Sequence, residues 1–309
     1  FFKQKTAYEM CGRDWSSDVC SSDLYTMPIA GGVATPLLTG LPFQGQPRYS
    51  PDGTRIVYIS DQSGGLNLWT VAADGSDARQ ITRGKNDIYT SPEWTPDGNY
   101  LVASKTFSPL GGAAKLWMYH VDGGSGVQLI DAPNGDGAGP AAFRGLKTLG
   151  AAFGPDGDRI WHARAQGDWQ YNAMLPRYQI AVYDRSTGES TTMTSRYGGG
   201  FRPAVSPDGR WLVYGSRHDT ETGLRARDLE TGEEHWVVYP IQRDDQESRA
   251  TLDILPGYSF TPDARSVVLA YDGRFWTVGI EPGADPREIP FTADVALEAG
   301  ARLDFDYPI

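Results

Sequence analysis

Four histidines, His120, His162, His218 and His235, are the side chains of this 309-residue chain best suited to proton transfer or metal binding. A metal centre needs three or four ligands converging on one point. These four are scattered, three in expected strands and only His218 in an expected loop, so each reads as structural or superficial. The Gly-x-Ser-x-Gly pattern of an activated serine is absent. Members of a Ser-His-Asp set need not be adjacent, and nothing in the sequence points to one. The loop Asn134-Gly-Asp-Gly-Ala-Gly139 lacks the Lys-Ser/Thr of a phosphate-binding loop and the spaced carboxylates of a calcium loop. It reads as a flexible connection. The expectation is therefore no catalytic, cofactor-binding or metal-ligating residue in this chain.

Two segments exceed what a repeated fold needs. In Ala165–Arg177, Trp169, Tyr171 and Met174 are apolar enough to form an interface; in Arg243–Arg249, Arg243 and Arg249 flank an acidic cluster. Long loops on a rigid scaffold are where binding concentrates. These five residues are the candidate interaction residues, the alternative being loops that pack on their own sheets.

The elements that would position them follow from a repeat. Pro-Asp-Gly recurs at Pro51, Pro96, Pro155 and Pro207, with the variant Pro262-Asp263-Ala264, at spacings of 45, 59, 52 and 55 residues. Two residues before each Pro stands an apolar residue: Tyr49, Trp94, Phe153, Val205, Phe260. Five residues after it stand Ile56, Leu101, Ile160, Leu212 and Val267, and next to them Val57, Val102, Trp161, Val213 and Val268. Pro sets φ at the first corner of a turn, Asp bonds the backbone two residues on, and Gly accepts positive φ. Each unit thus reads strand, turn, strand, with two further strands to complete four. Asp52, Asp97, Asp156, Asp208 and Asp263 are then turn formers, far apart around a ring, rather than a carboxylate set.

Four antiparallel strands per unit, repeated, predict an all-β propeller: five complete blades over residues 44–294 and partial blades at both ends. Residues 25–43 carry the last strands of a truncated blade, and 295–309 the first strand of another, with Leu303, Phe305 and Tyr307 alternating. An open arc of this kind would expose apolar faces and unpaired edges. Composition agrees. The 37 Gly and 21 Pro exclude a helical bundle, and 12% aromatics exclude disorder. A net charge of −11 argues against a nucleic-acid partner, and no apolar run reaches a membrane span.

Residues 1–24 depart from this pattern. They lack alternation, hold both cysteines, Cys11 and Cys20, and contain no apolar core of a signal peptide. Lys3–Glu9 and Asp14–Leu24 resemble the translation of a sequencing adaptor, which implies a non-native, disordered segment and leaves the natural portion without cysteine.

From Tyr25 to Ile309 the units, quoted as Tyr49-Ser-Pro-Asp-Gly and Val205-Ser-Pro-Asp-Gly, resemble the WD40-like Pro-Asp repeat of TolB-type propellers. Four stretches carry a narrower resemblance: Tyr89–Gly98, Lys115–Gly126, Tyr239–Arg249 and Ile289–Val295. They are similar to the propeller that precedes the catalytic barrel in bacterial metal-dependent amidohydrolases. That resemblance implies a non-catalytic propeller whose partner is a C-terminal catalytic domain of the same chain, with a divalent metal in that domain. It also favours a periplasmic or secreted protein. No His-x-His occurs here, so none of the metal ligands carries over. The alternatives are a TolB-like propeller that binds other proteins and the propeller of a prolyl-oligopeptidase-type serine peptidase.

Overall fold

In the computed structural model the described residues are 5–10, 23–106, 114–130, 146–166, 178–243 and 257–295. Among the described residues twenty-four strands form six four-stranded sheets, and no helix occurs. The first sheet opens with β1 (Lys5–Met10), β2 (Asp23–Pro28) and β3 (Gly32–Leu38). The second is β4 (Gln44–Tyr49), β5 (Arg55–Ser60), β6 (Asn67–Ala72) and β7 (Arg79–Gln80). The third is β8 (Ile88–Trp94), β9 (Tyr100–Thr106), β10 (Lys115–His120) and β11 (Val127–Gln128). The fourth is β12 (Leu146–Phe153), β13 (Arg159–Gln166), β14 (Gln179–Asp184) and β15 (Ser190–Thr192). The fifth is β16 (Phe201–Val205), β17 (Trp211–His218), β18 (Glu221–Asp228) and β19 (Glu234–Arg243). The sixth is β20 (Tyr258–Phe260), β21 (Ser266–Tyr271), β22 (Arg274–Gly279) and β23 (Arg287–Ile289). Then β24 (Phe291–Ala293) returns to pair in parallel with Gly32–Ala34 of β3.

The Pro-Asp-Gly unit builds the hairpin between the first two strands of a sheet. Gly53 N–H bonds Ser50 O at 2.8 Å, and Gly53 takes φ +69°. Asp52 Oδ1 accepts the Thr54 N–H at 3.1 Å, two residues on. In four of the five units a hydroxyl residue stands directly before the Pro and joins the turn. Ser50 Oγ donates to Asp52 at 2.6 Å and accepts the Arg55 N–H at 2.9 Å, so one side chain clamps both ends of the turn. Thr95, Ser206 and Thr261 repeat this, and only Gly154 has no hydroxyl to do so. The hydroxyl and backbone donors hold the Asp52, Asp97, Asp208 and Asp263 carboxyls below their ordinary range.

The two adjacent apolar columns are the two faces of each sheet. Ile56, Leu101, Ile160, Leu212 and Val267 pack on the preceding sheet, and Val57, Val102, Trp161, Val213 and Val268 on the following one. Six inter-sheet cores result. One joins the sixth sheet to the first, through Val268, Phe275 and Ile289 against Tyr25, Met27 and Ala34.

This corrects the blade count: the ring has six sheets, not five and two remnants. The stretch after Ile289 continues past Pro290 to complete the first sheet. Its approach depends on Gly31, at φ +92°, where a Cβ would lie 2.3 Å from Pro290 O. The apolar faces expected to be open are therefore covered. Within residues 1–24, Lys5–Met10 and Asp23–Leu24 lie in strands where disorder was expected. An unpaired edge accepts backbone of any sequence, and β2 offers one. The proposed further strand around Leu303, Phe305 and Tyr307 lies outside the described residues.

Candidate functional site

The first strands of neighbouring sheets lie against one another and surround the ring axis. Each of β4, β8, β12 and β16 carries a bulge where its register with the next strand shifts. The bulges place Gln46, Ser91, Gly150 and Arg202 at φ between +49° and +65°. All four stand five residues before their Pro-Asp turn. Pro47, Pro92 and Pro203 follow three of them, where the interrupted ladder needs no N–H. That recurring proline was the available sequence signal for the bulge. The freed donors are taken up by the preceding sheet: Ser91 N–H by Gln46 Oε1 at 2.5 Å, Gly150 N–H by Ser104 Oγ at 2.8 Å.

These bulges and their neighbours line a small solvent-open pocket. Arg48, Glu93 and Arg202 charge it. Arg48 Nη1 donates to Tyr258 O at 2.9 Å and to Ser259 Oγ at 2.8 Å, reaching from the second sheet to the sixth. Its Nε is 3.5 Å from Glu93 Oε2 on the third sheet. Arg202 lies over the Tyr258 ring at 5.8 Å, and Tyr258 Oη donates to Arg202 O. Glu93 keeps 28% of its side chain open, yet enclosure by the inner strands still pushes its carboxyl above the ordinary range, against Arg48, the Trp94 N–H and Arg202. The result is a polar pocket in which Arg48, Glu93 and Arg202 come together. Such an arrangement can select a small polar group by charge.

The histidines do not meet there. His120 is exposed at the end of β10, 3.4 Å from Asp122, and His162 is fully buried in β13. His235 Nε2 lies 2.7 Å from Ile280 O. His218 ends β17 rather than sitting in a loop, because β17 and β18 turn tightly through Asp219 at φ +51°. Among the described residues no three His, Cys, Asp or Glu side chains cluster as metal ligands. Arg243 is the last residue of β19, opposite Glu221. Trp169, Tyr171, Met174 and Arg249, and the loop Asn134–Gly139, lie outside the described residues. No helix among the described residues is long and apolar enough to cross a membrane.

Residues 16–108 match the family model of the TolB beta propeller domain. Over 92% of this chain the backbone superposes on 66% of the crystal structure of TolB from Acinetobacter baumannii, at TM-score 0.65 and 15% identity. The fold is a TolB-like β-propeller. Among curated relatives, this TolB-like chain is 24% identical to the uncharacterized peptidase YuxL of Bacillus subtilis over 71% of its length. It is 26% identical to tricorn protease homolog 1 of Streptomyces coelicolor over 93%. The chain spans only 28% of YuxL and 24% of the tricorn homologue.

Proposed function

We propose that this chain is the non-catalytic TolB-like propeller of a larger hydrolase of C–N bonds, scaffolding a catalytic domain of the same protein and restricting access to it. The observation that carries this reading is the pairing of coverage and content. Relatives named peptidase and protease are matched over about a quarter of their length, and the matched part here is propeller. The charged pocket of Arg48, Glu93 and Arg202 on the inner strands is where such restriction would act.

Peptidases and amidohydrolases both cleave C–N bonds. The relatives' names favour a peptidase parent. The stretches Tyr89–Gly98, Lys115–Gly126, Tyr239–Arg249 and Ile289–Val295 favour the amidohydrolase. The divalent metal implied by the second parent does not fit the described residues, which bring no three ligands together. It belongs to the proposed partner domain. A free-standing propeller that binds other proteins is the competing reading, and the resemblance to TolB supports it. Assay of the purified chain against peptide and amide substrates, with and without divalent metal, tests the non-catalytic role. No turnover is expected; turnover that survives repurification overturns it.

A further inference from the structure

The fifth sheet carries a second charged feature, away from the axis. Leu212 and Tyr214 of β17 pack on the fourth sheet. Their cross-strand partners continue the same face: Leu212, Arg227, Glu234 in one row and Tyr214, Arg225, Trp236 in the next. The fourth sheet ends in β15, of three residues, whereas β19 has ten. The outer part of this face therefore extends past its neighbour, and Arg196, beyond β15, leans onto it.

Arg196 Nε donates to Glu234 Oε2 at 2.7 Å and to Tyr214 Oη at 3.1 Å, and Arg227 Nη1 to Glu234 Oε1 at 3.0 Å. Both carboxylate oxygens are thus taken. Burial works against ionisation of Glu234, but the Arg196 and Arg227 bonds hold its carboxyl below the ordinary range. Arg225 is left over. Its Cζ lies 4.0 Å from the Trp236 ring centroid, and no carboxylate among the described residues pairs with it. Trp236 and Tyr239, 4.8 Å apart, settle onto the bare backbone of Gly223, where a Cβ would lie 3.1 Å and 2.9 Å from them. Desolvation and the nearby Arg196 charge bring the Arg225 pKa down, against the opposing pull of Tyr214 and Glu234. The acids Asp219 and Glu221 lie at the far end of the hairpin, by His218 and Tyr239. In a chain of net charge −11, three guanidiniums thus share one carboxylate.

We propose that Arg225, held on Trp236 and flanked by Arg196, binds an oxyanion, carboxylate or phosphate, through its free edge. A guanidinium fixed in one plane presents its paired donors without further loss of side-chain freedom, which suits two-point recognition of a planar or tetrahedral oxyanion. The test titrates the full chain at low ionic strength with sodium phosphate and, separately, with a triglutamate peptide. The readout is the Trp236 indole N–H resonance, assigned with Trp236→Phe. A saturable shift is expected, weakened about tenfold or more in Arg225→Gln and also weakened in Arg225→Lys, which keeps the charge without the fork. Arg274→Gln, which removes a paired surface arginine of the sixth sheet, is expected to leave binding unchanged. Tighter phosphate binding marks a phosphorylated ligand, and tighter peptide binding an acidic segment. Absence of saturation with both probes, or Arg225 variants that bind like the parent, overturns the proposal.

Discussion

His162 occupies the position held by Tyr58, Ala103, Tyr214 and Leu269 in the other repeats, seven residues after the turn proline. It is completely buried, with Nδ1 3.2 Å from Ile160 O and no partner for Nε2 among the described residues. Desolvation, only partly offset by the Ile160 carbonyl, lowers its pKa to about 4. The unfolded chain takes up this proton below about pH 6.5, whereas the folded one resists it until about pH 4. Stability is therefore full above pH 6.5 and declines between 6.5 and 4, by about 3 kcal/mol from this one group. The aspartates of the turns act lower. Their depressed values give stability that is present above their unfolded pKa of 3.8 and lost as pH falls further. Urea unfolding across this range should separate the two. His162→Leu is expected to flatten the upper window while leaving the lower loss; an unchanged upper window would show that His162 is not the group responsible.

The hairpin built on Pro-Asp-Gly contains its own comparison, because Gly154 lacks the hydroxyl that Ser50, Thr95, Ser206 and Thr261 supply. A Cβ at Gly154 would meet only Asp156 Oδ1 at 3.7 Å and Val205 Cγ1 at 3.9 Å, both ordinary contacts. Gly154→Ser should thus stabilise the protein by about 1 kcal/mol, from the added bonds and a less flexible unfolded chain. Thermal unfolding checks this, and a lower midpoint would contradict the clamp. At this scale the sequence was most readable where chemistry repeats locally. Ile56 beside Val57, and the matching pairs in each unit, disclosed a strand apolar on both faces. The bulges were harder, since their mark was a proline four residues before another proline in three of five repeats. His218 was misplaced because Arg-His-Asp-Thr-Glu is polar enough for a loop, although it forms the end of a hairpin. The charged pocket was not legible at all: Arg48, Glu93 and Arg202 differ between repeats and meet only because the ring brings them together.

Closure of that ring is likewise non-local, joining Gly32–Ala34 to Phe291–Ala293 by a parallel pairing without a turn signature. Once formed, it buries apolar surface between every neighbouring pair of sheets. Gly31 is the tightest point of the closure. Gly31→Ala must displace the Pro290 carbonyl and is expected to cost at least about 2 kcal/mol in denaturant unfolding. Gly32→Ala meets no atom within 4 Å, despite its φ of +128°, and is expected to cost less. Equal losses would place the closure elsewhere.

For the whole protein the central claim is that this propeller serves a catalytic domain of the same chain. The most direct measurement is the coding sequence that adjoins this chain on both sides. The account predicts a contiguous hydrolase domain, marked by His-x-His if it is an amidohydrolase or by a serine-nucleophile motif if it is a peptidase. An open reading frame that ends on both sides without a catalytic domain would contradict it and leave a protein-binding propeller.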